Sequence, residues 1–375
     1  MTHNLKLITY NLQLKTPFAL PPGFIYIDLR MKQLPVQKIQ APEIYGDFWF
    51  NSDPLTIHAM QGQVILLCFW DYTSENSLNT MNLVEEWAQR YKEMGLVVIG
   101  IHSPEFSFAR NPKFVEGSLQ QSGFHFPIAT DNTSMMRDAY RVQELPTLFL
   151  LERDGSIYLT HSGEGGYERT ERAVQTLLRE AGFHGELPML IGFSHAGDFV
   201  RSSFERATPT IRTGYLHGSL GNVEGYSPEL PADYNDAQVY IEGKFYAQGN
   251  WFAKSEAIEF EGDTKDGYIA LRYAGNNVNA VISAKKEGAI VLVLQNDKAL
   301  TAQEYGDDIS TDEHGNSFVV VNEPKLFHVV KNKDFGDRTI KLIPKDAGTT
   351  FYSFTFDANP TSMLHDLGTH SFRNN

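Results

Sequence analysis

The stretch VILLCFWDYTSENS, residues 64–77, decides the fold. Residues 64–70 form an apolar, β-branched run, which reads as a strand buried on both faces. Residues 75–94 then carry Leu78, Met81, Val84, Trp87, Ala88 and Tyr91 at helical spacing. A strand therefore feeds straight into a helix. The turn between them, Asp71-Tyr72-Thr73-Ser74, delivers Ser74 to the helix N-terminus, where backbone N–H groups and the helix dipole favour negative charge. Such a position suits a thiolate, and a serine stands there.

A second apolar strand at 95–101 leads into His102-Ser103-Pro104-Glu105-Phe106. Strand, helix and strand of this kind make a right-handed parallel unit, so Ser74 and His102 are expected on one edge of the sheet. A short strand at 124–129 and a helical segment at 135–140 follow, and then Leu145-Pro146 opens an apolar strand at 147–151, a place where proline is allowed. Asp154-Gly155 reads as a hairpin turn into 156–161, and a Gly-rich turn precedes a helix at 169–181. From Thr208 onward the texture changes to short strands at 257–260, 268–273, 278–283, 289–295, 317–321, 326–330, 339–343 and 350–356, separated by turns. That spacing predicts an antiparallel, jelly-roll-like β-sandwich.

Phe69-Trp70, three residues, Ser74, two residues, Ser77 resembles the redox turn of thioredoxin-fold proteins of the TlpA and redoxin type, with serines where that family has its two cysteines. The segments APEIYGDF, HSPEF, ATDN and HSGEGGYERTE resemble the thioredoxin-like domain in the soluble part of DipZ-type proteins, and a related pattern occurs in animal proteins carrying NHL repeats. TPTIRTGYLHG, FYAQGNWF and TTFYSFTF resemble the carbohydrate-binding-module-like domain that follows it. The resemblance implies a cis Leu145–Pro146 bond facing the turn and a substrate groove around Trp70, Tyr72, His102, Leu145 and Pro146. It also implies that Cys68 occupies the place of a buried acid that handles protons for the cysteines. The redox chemistry is missing, because a serine hydroxyl has too high a pKa and forms no disulfide.

The 375 residues fit two domains of about 100–200 residues each. The expected division is a strand-rich arm at 1–40, a thioredoxin-like domain at 41–185, a linker at 186–207, the sandwich at 208–357 and a flexible tail at 358–375. A net charge of −14 weighs against nucleic acid and anionic membrane surfaces. One cysteine excludes an internal disulfide framework and any Cys-rich zinc site. No signal peptide is read at the N-terminus, and no run reaches the roughly 18–20 apolar residues of a membrane span. A cytoplasmic protein without cofactor or metal is the expectation, although a piece of a longer membrane protein would look the same.

Ser74, His102 and Glu105 invite a nucleophile, base and orienter reading, against which serine is more simply a helix cap. Cys68, in an apolar strand, reads as an inert core thiol rather than a peroxidatic one. In the sandwich Tyr246, Trp251, Phe252, Tyr268 and Tyr273 offer a platform for sugar rings, with Tyr246 and Trp251 the leading candidates. Against this, strand aromatics are more often core. Acidic turns at 261–263 and 306–308 lack the spacing of a calcium loop. Taken together, the sequence predicts a redox-inactive relative of thiol–disulfide oxidoreductases that binds a peptide or protein partner or acts as a scaffold. The alternatives are an active oxidoreductase whose two cysteines stand here as Ser74 and Ser77, and a carbohydrate-binding protein acting through the sandwich.

Overall fold

The computed structural model describes residues 38–191, 206–262 and 267–358. The expected N-terminal arm up to residue 37, most of the linker and the tail beyond 358 lie outside these residues. In the first half, β1 (Trp49–Phe50), β2 (Val64–Trp70), α1 (Glu75–Tyr91), β3 (Leu96–His102), α2 (Pro112–Ser122), β4 (Ile128–Thr130), α3 (Met135–Ala139), β5 (Thr147–Leu151), β6 (Ile157–Ser162) and α4 (Tyr167–Glu180) follow one another. The strands form one sheet in the order β1-β4-β3-β2-β5-β6. β2 runs parallel to β3, and β5 pairs antiparallel on its other side.

The two-sided burial of β2 follows from its alternation. Val64, Leu66, Cys68 and Trp70 pack with Val84 and Trp87 of α1 and with Val174 and Leu178 of α4. Ile65, Leu67 and Phe69 turn to the opposite face, against Met136 and Tyr140. Every residue of the strand is buried, so the end of β2 is a fixed platform for the turn that follows. Helix α2 has no counterpart in the sequence expectations. Its signals are nonetheless local: Asn111 caps it by accepting from the Lys113 N–H, Pro112 occupies the first turn, and Gly123 ends it with a φ of 71°.

The second half is one antiparallel sheet built from β7 (Ile211–Arg212), β8 (Pro231–Tyr234), β9 (Phe245–Ala253), β10 (Ile258–Phe260), β11 (Tyr268–Ala284), β12 (Ala289–Gln295), β13 (Lys298–Ala299), β14 (Ser310–Thr311), β15 (Ser317–Val321), β16 (Lys325–Pro344) and β17 (Thr349–Asp357). The strands expected at 268–273 and 278–283 are one strand, and so are those at 326–330 and 339–343. Register between β11 and β16 shifts at Gly275/Asn277. Across that bulge the core-facing set changes parity, from Ile269, Leu271 and Tyr273 to Val278, Ala280 and Ile282. The first part of β11 pairs with β9 and the second with β17, so the bent strand serves two layers around a common core.

The halves meet through the segment after β3. Phe106 is buried and packs with Ala257, Val281, Leu326 and Tyr352, flanked by Leu78 and Phe108. Its ring centroid lies 5.0 Å from that of Tyr352 and stacks 5.8 Å from Phe108. The Arg212 guanidinium sits 5.6 Å over the same ring and reaches Glu105 at 3.0 Å. Truncating Phe106 to alanine should cost about 3–5 kcal/mol. Denaturant unfolding of Phe106→Ala checks this, and a loss within about 0.5 kcal/mol of zero would show that the contact does not hold the halves together.

Candidate functional site at the strand-to-helix turn

The turn between β2 and α1 is built around a buried carboxylate. Asp71 is fully buried and accepts from the Thr73 N–H (3.1 Å), the Thr73 hydroxyl (2.8 Å) and the Glu105 N–H (2.7 Å), while His102 Nε2 lies 3.2 Å away. Burial pushes the Asp71 carboxyl up, and the bonds from His102, Glu105 and Thr73 outweigh it, leaving the group below its ordinary value. The parallel register pairs Trp70 with His102, which is how residues from two strand ends reach one another. Tyr72 stacks on the imidazole at 5.4 Å and Trp70 meets its edge at the same distance. His102 and Trp70, expected to line a groove, are instead fully buried.

Ser74 and Ser77 take the roles their positions dictate. Ser74 caps α1, its Oγ accepting from the Ser77 N–H at 3.3 Å. Ser77 is fully buried, and its hydroxyl has no partner among the described residues. A hydroxyl in such a place carries an uncompensated desolvation cost of about 1–3 kcal/mol that a thiol or methyl group largely avoids. Ser74, His102 and Glu105 do not form a relay. The imidazole Nε2 faces Asp71, the Glu105 carboxylate faces Arg212, and Ser74 Oγ faces the backbone. Cys68 is fully buried in the middle of β2, where burial pushes its thiol well above the ordinary range and holds it neutral.

Pro146 lies beside this turn because β5 pairs with β2, with Thr147 opposite Phe69. The Leu145–Pro146 bond is cis, Pro146 is buried, and its carbonyl accepts from the Gly163 N–H at 2.8 Å. Leu145 is half-buried, and among the described residues its N–H and C=O make no hydrogen bond. Tyr246 and Trp251 are elsewhere. Trp251 is fully buried in the second core with its indole N–H donating to the Gln248 carbonyl, and Tyr246 is buried with its hydroxyl accepting from the Ile241 N–H. Neither ring offers a face to solvent, so the stacking platform expected at these two residues meets core packing instead. No group of metal-ligating side chains is found among the described residues, and no helix among them is long and apolar enough to cross a membrane.

The sandwich contributes residues that sequence reasoning missed. His328 of β16 places Nε2 2.8 Å from Glu75, the first residue of α1, and Nδ1 3.6 Å from Asp308. Lys325 lies 2.6 Å from the same Asp308. These bonds to Asp308 and Glu75 raise His328 to about 10, and Asp308 falls to about 2 because its bonds to His328 and Lys325 outweigh burial. His328 is 253 positions from Glu75, and nothing local in the sequence announces the pair.

Because the folded-state pKa of His328 is raised above its ordinary 6.5, its contribution to stability is complete below about pH 6.5 and is lost as pH rises toward 10. At 37 % side-chain exposure solvent screens the pair, so the expected loss is about 1–2 kcal/mol. Unfolding free energies at pH 6, 8 and 10 should fall in the native chain. In His328→Gln that slope should be missing, and equal slopes would contradict the assignment.

Residues 62–157 match the family described as thioredoxin-like, and residues 214–357 match the family described as thioredoxin like C-terminal domain. Protein DipZ of Mycobacterium bovis is 26% identical over 325 residues, covering 84% of this chain and 42% of DipZ. The chain thus spans about two fifths of the length of that relative. Thiol-disulfide oxidoreductase ResA of Bacillus anthracis is 26% identical over 150 residues, covering 40% of this chain and 72% of ResA. The structure of a thiol-disulfide isomerase from Corynebacterium glutamicum superposes with a TM-score of 0.34 at 20% identity, covering 37% of this chain and 96% of that one. The chain therefore carries a match to the thioredoxin-like family at 62–157 followed by a match to the thioredoxin like C-terminal domain family at 214–357, with homology to DipZ over most of its length and to ResA over two fifths of it.

Proposed function

We propose that this protein is a redox-silent member of the thioredoxin fold that binds an extended polypeptide or scaffolds a complex, with its thioredoxin-like body at 41–185 and its sandwich at 208–357. The observation that carries the reading is the pairing of lost chemistry with a kept frame. Hydroxyls stand at both positions of the redox turn and the one cysteine is a core thiol, while the cap at Ser74 and the cis Pro146 beside the turn remain. An extended chain needs backbone donors and acceptors in reach, and those of Leu145 are unspent among the described residues. A strand laid beside Leu145 would pass Ser74 at the start of α1.

A second reading keeps the enzyme. The Ser77 hydroxyl, without a partner among the described residues, lies where a thiol would be at ease, which favours an active oxidoreductase as the form from which this chain departs. Both readings require the frame to accept a polypeptide disulfide once thiols return. Dithiothreitol-coupled reduction of insulin should stay at the uncatalysed baseline for the chain as it stands and rise several-fold above it for Ser74→Cys/Ser77→Cys. Turnover by the unaltered chain would overturn redox silence. A double variant that is folded and inert would overturn the kept groove.

A further inference from the structure

A cavity of about 230 Å³ opens where the redox turn meets the sandwich, between Tyr72 and Leu78 on one side and Asp307, Glu323, Lys325 and His328 on the other. We propose that it is a site for an alkylammonium or guanidinium group, the basic side chain of a bound polypeptide, held between the Glu323 carboxylate and the Tyr72 hydroxyl. The proposal deepens the peptide-binding reading above and rests on it for the identity of the occupant.

The charges in the cavity are nearly all spent on each other. Lys325 is 2.6 Å from Asp308, His328 lies between Asp308 and Glu75, and Asp307 is 3.8 Å from Lys331. Glu323 is different. Its carboxylate accepts from the neutral Gln121 side chain in the cavity wall, at 3.1 Å, and it has no ion pair among the described residues. The second observation is independent of charge. Tyr72 is only 3 % exposed, lines the cavity, and its hydroxyl has no partner among the described residues. Burial, with the carboxylates of Asp71 and Glu323 adding to it, keeps that hydroxyl a phenol at any ordinary pH. It therefore keeps a lone pair for an incoming N–H.

An anion is disfavoured, since the two nearby cations are neutralised and three carboxylates would face it. A bare metal ion lacks a set of ligands among the described residues. A basic side chain would give the Glu323 carboxylate an ion pair and the Tyr72 hydroxyl a donor at once, and Leu78, Phe114, Pro324 and Leu326 line the space its methylenes would cross. The source of the cation is either a polypeptide or a free amine, and the two are separable by experiment.

The test is a titration of the full chain, isotope-labelled and followed by amide chemical shifts, with N-acetyl-arginine methylamide, N-acetyl-lysine methylamide and the neutral N-acetyl-norleucine methylamide. A Gly/Ala peptide carrying one central arginine forms the fourth arm. The basic probes should give saturable shifts at Gln121, Ser122 and Glu323 that weaken with added salt. Norleucine should not. Glu323→Gln should weaken binding by about tenfold or more, and Tyr72→Phe, which keeps the ring, by a smaller factor. Equal response to norleucine, or unchanged affinity in Glu323→Gln, overturns the site. Shifts at Leu145 and Thr147 report the groove separately. A peptide that moves these but not 121–122 and 323 sinks the cation site and leaves the groove standing. A cavity that answers to the free probes while the peptide leaves Leu145 and Thr147 unmoved sinks the polypeptide occupant in favour of a free amine.

Discussion

The buried carboxylate of Asp71 is the constraint on which the site depends. A charged group with no exposure is tolerable only when its oxygens are fully engaged, and Asp71 meets that condition by drawing on three separate segments. Thr73 closes the turn ahead of α1 and so fixes where Ser74 begins the helix. His102 ties the end of β3 to the end of β2. The Glu105 N–H brings in the loop after β3, which carries Phe106 into the sandwich. Removing the carboxylate would leave these donors and the imidazole without their common acceptor, so the turn and the contact between the halves are parts of one arrangement.

That arrangement places the second half over the first turn of α1. Glu75 meets His328, Leu78 joins the apolar contact with Leu326 and Tyr352, and the buried Tyr72 hydroxyl is left without a partner among the described residues. The sandwich is thus a wall of the site rather than a neighbour joined by a tether. Beside the turn, Leu145 is half-buried and its backbone N–H and C=O make no hydrogen bond among the described residues.

Much of the first half was legible in the sequence, because strands buried on both faces and a helix with a capping serine announce themselves locally. The strand at Val64–Trp70 and the start of α1 at Glu75 fall where the pattern puts them, and the cis bond at Leu145–Pro146 follows from the resemblance. The depth of Trp70 and His102 was not legible: residues at strand ends can face a groove or lie under it, and the stacking of Tyr72 decides. In the second half the long strands β11 and β16 were broken in two by the sequence reading. Gly275, Asn276 and Gly336 look like turn residues there, while in the structure they mark a bulge within continuous strands. Tyr246 and Trp251 stood out as aromatics in strands, a pattern that core and binding face share. His328 was invisible because its importance comes from a partner far away in the chain.

The claim at the centre of this account is that the edge beside Pro146 pairs with extended polypeptide backbone. Amide hydrogen exchange at Leu145, measured with and without saturating reduced and carboxymethylated insulin B chain, addresses it directly. The account predicts fast exchange at Leu145 in the free protein and slowing by about tenfold or more in the complex, as a new backbone hydrogen bond forms. Unchanged exchange at Leu145 while the peptide is bound elsewhere would contradict it.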